Sequence, residues 1–414
     1  MRPIQVKQLD YDLTPTAGLA LVGHHLKLLA PVLAEVDAAL PVRSGVASSD
    51  IVRSYLGLLV QGKSDFDAIE NLRGDKFFKQ ALGIGLLPSS PTLRQRMDAH
   101  AGELAGHVPA MIERLLARCA DGYCPLAAYL GSHGLCLELS LRPGVQHSAK
   151  HTDDDLCGIV PLAQRLSAAG PKAALLARLD SGFDAAALMA CIESMNRPGV
   201  PQADWIIKWN PRGTDAAQLA AQRDAAGTLW EHPRKGKRVA TWEQAVQVSG
   251  VPRAVRRVLR LVERTIGSGG QHLILPEYEL DGWTTTLPQR LDAGQIIALY
   301  AEHGTHEQFH AEFKTDMDLT RLPSGKFDTN ALVCRLAALA MNILRLMGQR
   351  GLLGPDAPVR HAAKRRRIKT VMQELIYRAG RLIEHGRQLV LGLGANDRAA
   401  TVFMRLHAQF AATQ

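Results

Sequence analysis

The sequence predicts an α/β protein whose core carries a β-rich insertion and is flanked by helical regions at both ends. Three observations support this prediction. Apolar residues recur at helical spacing through residues 16–117. Strand-like and helical runs alternate through residues 121–210, a pattern typical of parallel strand pairing. A basic, strand-like stretch then interrupts that alternation at residues 230–286.

These patterns divide the chain of 414 residues into five predicted segments, and a hydrophobic share of 46% is enough for a large core. Residues 364–388, "KRRRIKTVMQELIYRAGRLIEHGRQ", have the pattern of one basic amphipathic helix. Near residue 130, "PLAAYLG" and "LCLELSLRPG" predict two short strands. The segments are a helical, DNA-binding region at 1–117, the first part of the core at 118–229, the insertion at 230–286, the last part of the core at 287–352, and a basic helical region at 353–414.

The charge of the chain points to an anionic partner. The net charge is +9 and the isoelectric point about 9.3. Residues 360–414 contain 11 Lys/Arg against 3 Asp/Glu, and residues 234–264 contain 9 against 2. Two basic segments in an otherwise balanced chain favour nucleic-acid contacts, although two solvated faces would give the same composition.

The six cysteines contain no C-x-x-C pair, as expected of reduced thiols in a cytoplasm. We find no signal peptide pattern and no uncharged run of membrane-spanning length. We therefore expect a soluble, cytoplasmic protein without a membrane partner.

The motif "HEQFH" at residues 306–310 has the H-E-x-x-H pattern of zinc metalloproteases. His306 and His310 could hold one zinc ion, with Glu307 polarising a water molecule. So short a pattern also arises by chance in a chain with 15 histidines. The nearby candidates for a third ligand are Asp316, Asp318 and Asp328.

A second spacing passes through the same stretch. Tyr300, Glu307 and Lys314 are seven residues apart, which is close to two helical turns, and His303 would join the same face. Such a ridge would suit a site that handles phosphate, with the carboxylate holding a divalent cation. A solvated amphipathic helix would show the same spacing.

Asp180 follows the buried-type strand "KAALLARL" and precedes a Ser-Gly turn. In α/β sheets, functional residues collect at the carboxyl ends of the strands, which makes this carboxylate a candidate. An N-cap for the following helix is an equally good interpretation of the position.

Taken together, these motifs resemble the DDE-class transposases of bacterial insertion sequences, which have a ribonuclease H-like catalytic core. One branch of that class has a Tyr-Arg-Glu-Lys signature with two, three and six residues between its members. Tyr300, His303, Glu307 and Lys314 have that spacing, with His in the place of Arg. The resemblance extends through "DGYCPLAAYLG", "RLDSGFDAAALM", "RLPSGKF" and "RRRIKTVMQELIYRAGRL".

The resemblance implies that Asp180 and Glu307 are the second and third carboxylates of a triad that holds two Mg²⁺ ions, for which Mn²⁺ can substitute. In that family the ions activate water or a DNA 3′-hydroxyl for attack on a phosphodiester. The implied partners are double-stranded DNA, as transposon terminal repeats and target DNA, and a second copy in a homodimer on that DNA. Lys314 and His303 would contact phosphate, and Tyr300 would lie near the cut end. The implied location is the nucleoid of a bacterial cytoplasm.

We also expect the insertion and the tail to bind transposon ends, because both are basic. The DNA-binding candidates there are Arg256 and Arg257 in the insertion and Lys364, Arg365, Arg366 and Arg367 in the tail.

The chain departs from the family at the first aspartate, which normally lies on a strand before the "DGY" segment. Here "MIERLLARCA" continues directly into "DGYCPLAAYL", so that strand is missing. Neither Asp98 nor Asp121 can be assigned to the role from the sequence. We therefore predict a catalytically defective transposase. The alternatives are a DNA-binding relic or repressor without catalysis, and a zinc hydrolase built on "HEQFH".

Overall fold

The computed structural model divides the chain into two compact units. We call them the helical unit (Met1–Cys119, Gly131–Leu141 and Glu307–Gln414) and the sheet unit (Ala120–Leu130 and Arg142–His306). Asp121 lies outside the described residues. The structure describes residues 13–116, 127–131, 133–142, 149–169, 174–267, 269–359, 361–385, 388–395 and 397–412.

The helical unit is built around one long helix, Phe327–Gly351, which we call the core helix. Its apolar residues face all directions, and Leu336, Leu339 and Ile343 are fully buried. The helices predicted for residues 16–117 are present and pack with it in the same unit. The unit also contains the helices Leu19–Leu28, Ala30–Ala39, Ser48–Leu59, Lys76–Leu82, Ser90–Ala99, Ala101–Leu116, Ile368–Val371 and Ala400–Ala412, with a 3₁₀ helix at Phe66–Leu72.

By length and composition alone, the core helix could cross a membrane, and the bent pair Leu19–Leu28 and Ala30–Ala39 would count as a second span if the two were one. Both statements apply only to the residues that the structure describes. The most apolar stretch of the core helix is 89% buried by the packing around it. A helix that is apolar on all sides and covered by its neighbours is the usual core helix of a folded domain.

Asn342 fixes the strand Leu135–Leu139 to the core helix. Its side-chain amide donates to the backbone carbonyl of Cys136 (2.6 Å), and its side-chain oxygen accepts from the Cys136 N–H (2.6 Å). Because Asn342 is fully buried, this reciprocal pair satisfies polar groups that would otherwise be costly to bury.

The C-terminal segment corrects a prediction, because the single amphipathic helix expected over residues 364–388 is present only as the short helix Ile368–Val371 and the π-helical turn Met372–Ile376. Strands Gly380–His385 and Gln388–Leu393 pair in antiparallel register, and Leu13–Thr14 adds a third strand. At Gly380, where these strands meet, a Cβ atom would lie 2.6 Å from Leu391 Cδ1 and 3.2 Å from Ala17 Cβ, so the position leaves little room for a side chain.

The sheet unit contains a six-stranded mixed sheet. The prediction of parallel pairing is confirmed for its first two strands, and the strands expected between residues 230 and 286 are present and antiparallel. Its helices are Thr152–Ala169, Ala186–Met195, Ala216–Ala225 and Ala293–Ala301. The strand order is Leu175–Leu179, Ala203–Trp209, His272–Thr285, Val255–Ile266, Lys237–Val246 and Glu231–Arg234.

Strand Leu175–Leu179 lies at the edge of that sheet. Among the strands that the structure describes, only Ala203–Trp209 pairs with it. In the family resembled, the strand of the first aspartate would lie on the other side of it. The absence of that strand from this chain stays a prediction.

Candidate active site

Asp180 occupies the position that the sequence predicts, directly after strand Leu175–Leu179, and its side chain is exposed. The carboxylate accepts a hydrogen bond from the Gly182 N–H (2.7 Å) and caps the 3₁₀ turn Ser181–Phe183. Asp180 is therefore a cap, but of this 3₁₀ turn, because helix Ala186–Met195 begins after Ala185. Its catalytic role stays a prediction. An ionised carboxylate has about four acceptor sites, so the cap leaves capacity for another partner.

Tyr300 lies close enough to Asp180 for the charge of that carboxylate to affect its titration. Burial raises the pKa of Tyr300, and the negative charge of Asp180 raises it further. The ring packs beside Trp283, with centroids 6.2 Å apart. Tyr300 therefore stays a neutral phenol at physiological pH, able to donate a hydrogen bond near Asp180.

The stretch from Ala293 to Asp316 is not the continuous α-helix on which the seven-residue ridge depends, so that prediction is wrong. Helix Ala293–Ala301 is followed by a 3₁₀ turn at Glu302–Thr305, a short α-helix at His306–Ala311 and a π-helical turn at Glu312–Asp316. These geometries turn by different angles per residue, so a spacing of seven no longer keeps one face.

The four signature residues fall in both units. Tyr300 and His303 belong to the sheet unit, whereas Glu307 and Lys314 belong to the helical unit. Glu307 and Lys314 are both exposed. Desolvation and the charge of Lys314 lower the pKa of His310, while Glu307 acts in the opposite direction. Both charged residues therefore lie near the His310 ring.

Two further carboxylates on this stretch are bound by arginines. Sequence reasoning assigned no role to Glu312 and considered Asp316 only as a candidate zinc ligand. Glu312 is 2% exposed and accepts from Arg345 Nη2 (3.1 Å) and Arg365 Nη1 (2.9 Å), and also from the Ile368 N–H (2.9 Å). Asp316 accepts two hydrogen bonds from Arg367, at 2.8 Å each. We call these five charged residues the arginine clamp.

The sequence does contain a signal for the clamp. Phe309, Glu312, Phe313, Asp316 and Met317 follow the i, i+3, i+4, i+7, i+8 pattern of a core-facing helix stripe. Carboxylates within such a stripe require buried cationic partners, because an unpaired buried charge is costly. The basic tail supplies two of those partners and the core helix the third.

The zinc interpretation finds little support in this geometry. His306 is 6% exposed, and its ring packs against Tyr129 with centroids 5.6 Å apart. Asp316 is held by Arg367, and Asp318 accepts from Ser64 Oγ (3.3 Å). Within the described ranges, no group of three or more His, Cys, Asp or Glu could hold a metal ion.

Asp98 has a structural role. It accepts hydrogen bonds from Ser324 Oγ (2.9 Å) and Thr329 Oγ1 (2.6 Å), and Lys326 Nζ lies 3.7 Å away. Although burial acts in the opposite direction, these donors hold the pKa of Asp98 below its usual value. Asp98 thus fixes the "RLPSGKF" loop to helix Ser90–Ala99 and is bound within the helical unit.

The two arginines predicted to bind DNA in the insertion are engaged inside the sheet unit. Arg256 donates to Glu243 (2.7 Å) and to the carbonyl of Pro288 (2.8 Å). Arg257 donates to Thr284 Oγ1 (3.0 Å) and lies over the Trp209 ring, 4.8 Å from its centroid.

The tail candidates behave differently from one another. Arg365 and Arg367 belong to the clamp, and Arg366 donates to the carbonyls of Leu352 (2.8 Å) and Val359 (3.0 Å). Lys364 is exposed. Of the four tail residues predicted to contact DNA, Lys364 is therefore the one whose side chain the fold leaves facing solvent without a described partner.

The decisive comparison is with protein families. A family model described as "Transposase DDE domain group 1" matches residues 118–414, well over half of the chain. The chain belongs to this family. Membership confirms the resemblance to DDE-class transposases and implies transposase function with DNA as the partner. A search among curated proteins found no match.

DDE transposase domains generally use divalent metal ions, so the described residues can be tested for such a site. Asp180 and Glu307 each offer an exposed carboxylate, the ligand type that Mg²⁺ prefers. Within the described ranges, neither of them belongs to a group of three or more His, Cys, Asp or Glu residues that could hold a metal ion. These residues alone do not complete a two-metal site.

Proposed function

We propose that this family member is the transposase of a bacterial insertion sequence and that its chemistry is impaired. Its substrate would be the phosphodiesters at the terminal repeats of the element, and its core would be ribonuclease H-like. Asp180 and Glu307 would be the surviving carboxylates, with Mg²⁺ as the ion and Mn²⁺ as a substitute. The protein would act as a homodimer on DNA in the bacterial cytoplasm.

The observation that carries this proposal is the position of Asp180. It is an exposed carboxylate at the carboxyl end of a strand of the α/β sheet, in a chain that belongs to a DDE family. Tyr300 adds a neutral hydrogen-bond donor beside it. In the other unit, Glu307 is exposed, whereas Glu312 and Asp316 are bound by arginines. Glu307 is thus the carboxylate of its stretch that remains available for function.

The proposed impairment rests on two features. Only residues 117–126 lie between helix Ala101–Leu116 and strand Ala127–Leu130, which is short for the strand and loop that carry the first aspartate in the family. Among the strands that the structure describes, Leu175–Leu179 also lies at the sheet edge. Loss of one ligand of a two-metal site should lower activity by orders of magnitude.

The test is metal-dependent nicking of a DNA fragment that carries the terminal repeat of the element. The protein would be compared with the Asp180→Asn and Glu307→Gln variants, each with Mg²⁺ or Mn²⁺ as the added ion. We expect nicking far below that of an intact family member, lost completely in both variants. Efficient nicking and strand transfer in Mg²⁺ would refute the impairment.

The same experiment addresses the second candidate, a DNA-binding relic or repressor, which the edge position of strand Leu175–Leu179 favours. Retained mobility shift of the repeat fragment without any nicking would support the relic. Residual nicking that survives both Asp180→Asn and Glu307→Gln would overturn the assignment of these carboxylates. In the case of residual nicking lost in both variants, Asp121→Ala would test whether that residue supplies the third ligand.

A further inference from the structure

Two of the cysteines come together in the sheet unit. Cys157 lies on helix Thr152–Ala169 and Cys191 on helix Ala186–Met195, and their Sγ atoms are 3.9 Å apart. The two helices pack against each other. Cys157 is exposed and Cys191 is partly exposed, so small oxidants can reach the pair.

We propose that Cys157 and Cys191 form an oxidisable dithiol, a modification site at which a low-molecular-weight disulfide such as glutathione disulfide closes a Cys157–Cys191 bond. The observation behind it is the contact between two accessible sulfurs on packed helices. The crosslink would close a loop over residues 157–191 that includes Asp180. The proposal does not depend on the transposase assignment.

The two thiols should react in a fixed order. Burial raises the pKa of Cys191 to about 12, and the nearby Cys157 and Asp153 reinforce the shift. Cys157 is the more exposed of the two thiols, so a small disulfide reaches it first. It attacks one sulfur of glutathione disulfide, which forms a mixed disulfide at Cys157 and releases one glutathione thiolate.

The second step closes the protein disulfide. Cys191 loses its proton to solvent and attacks the Cys157 sulfur, and the second glutathione leaves as a thiolate. Overall, two protein thiols are oxidised to one disulfide while one glutathione disulfide is reduced to two glutathione thiols. Proximity compensates for the small thiolate fraction of Cys191, because the attack is intramolecular.

The other described thiols provide an internal reference. Cys136 and Cys334 are buried in the helical unit, and burial raises the pKa of Cys334 to about 11. Both should resist the same oxidant under native conditions. Cys119 and Cys124 lie outside the described residues.

The test uses the purified full-length chain, first reduced, then exposed to glutathione disulfide at pH 8, quenched by alkylation and analysed as peptides by mass spectrometry without reduction. We expect a Cys157–Cys191 crosslinked peptide and the loss of both cysteines from the alkylated pool. Dithiothreitol should restore both. Circular dichroism before and after treatment would establish that the chain stayed folded.

Single variants separate the two steps. Cys191→Ser should trap glutathione on Cys157, whereas Cys157→Ser should leave Cys191 reduced and free of glutathione. Stable glutathionylation of Cys157 in the unaltered chain, with Cys191 still alkylated, would overturn the proposal. So would a dominant crosslink between any other pair of cysteines.

Discussion

Glu307 and Glu312 belong to one helical stretch, yet the fold treats them in opposite ways. Glu307 is exposed. Glu312 is 2% exposed and accepts hydrogen bonds from two arginine side chains and one backbone N–H. The structure thus distinguishes a carboxylate left available for chemistry from one used to hold the helix.

The clamp around Glu312 joins three parts of the helical unit. Arg345 comes from the core helix, and Arg365 and Arg367 come from the tail. Arg345 is 1% exposed, and its guanidinium pairs with Glu312 and donates to the Arg366 carbonyl (2.9 Å). The comparison teaches that positive charge in the tail is partly a structural requirement of this helix and is not all free for DNA.

The largest effect should come from Glu312→Gln. Removing the carboxylate takes away the ion-pair partner described for the buried Arg345, which should lower the free energy of unfolding by roughly 3–5 kcal/mol. Urea unfolding followed by circular dichroism would measure it. The matched control is Glu307→Gln, which should change stability by no more than about 0.5 kcal/mol. Equal losses of unfolding free energy in the two variants would show that Glu307 and Glu312 do not differ in their structural roles.

A smaller effect is expected from Asp316→Asn, which weakens the paired bonds from Arg367. Arg367 is half-exposed and can be solvated, so we expect a loss of about 1–3 kcal/mol at neutral pH. Burial raises the pKa of Asp316, but hydrogen bonds from Arg367 and the Lys369 N–H outweigh it and lower the pKa overall.

Because the pKa of Asp316 is lowered in the folded protein, the direction in which its contribution to stability changes with pH can be predicted. The ionised Asp316 stabilises the folded protein at pH values above its pKa in the unfolded chain, which is about 4. This stabilisation is lost as the pH falls through the lower pKa of the folded protein. The difference in urea unfolding midpoint between the Asp316→Asn variant and the unaltered protein should therefore become smaller below about pH 4. Urea unfolding measured at a series of pH values would check this. Glu35→Gln, on an exposed helix face, serves as the control and should show little difference at any pH. A difference that widens in acid would contradict the assignment.

Features that depend on interactions between residues close in sequence could be predicted, whereas features that depend on distant residues could not. Helix Ser48–Leu59 and strand Ala203–Trp209 are set by local periodicity and were predicted. The position of Asp180 after a strand is equally local. The family signature added Glu307, which neither periodicity nor composition distinguishes from Glu312.

The clamp could not be predicted with its partners, because Arg345 and Arg365 lie 33 and 53 residues beyond Glu312. The tail was mistaken for a helix for a related reason. Strand pairing of Gly380–His385 with Gln388–Leu393 and with Leu13–Thr14 depends on contacts outside any local window. The π-helical turn at Glu312–Asp316 likewise follows from tertiary contacts that hold both carboxylates inward.

A third test extends the comparison to the two aspartates Asp98 and Asp180. Asp98→Ala removes the acceptor for Ser324 and for the fully buried Thr329, and should cost about 1–2 kcal/mol. Thermal unfolding and hydrogen exchange of the "RLPSGKF" loop would measure the effect. Asp180→Asn keeps a side-chain oxygen for Gly182, so its stability should stay close to that of the unaltered protein. A larger loss in Asp180→Asn would show that its carboxylate is structural too.

The smallest expected effect concerns DNA binding by the tail and compares substitutions of Lys364 and Arg366. If the exposed Lys364 contacts phosphate, Lys364→Ala should lower the slope of log affinity against log salt by about 1 in fluorescence anisotropy with duplex DNA, without changing stability. Arg366→Ala should do the opposite, with a loss of about 1 kcal/mol in unfolding free energy and an unchanged salt slope, because its guanidinium already binds two backbone carbonyls. A reduced slope in Arg366→Ala alone would mean that the tail reorganises to release its arginines when DNA binds.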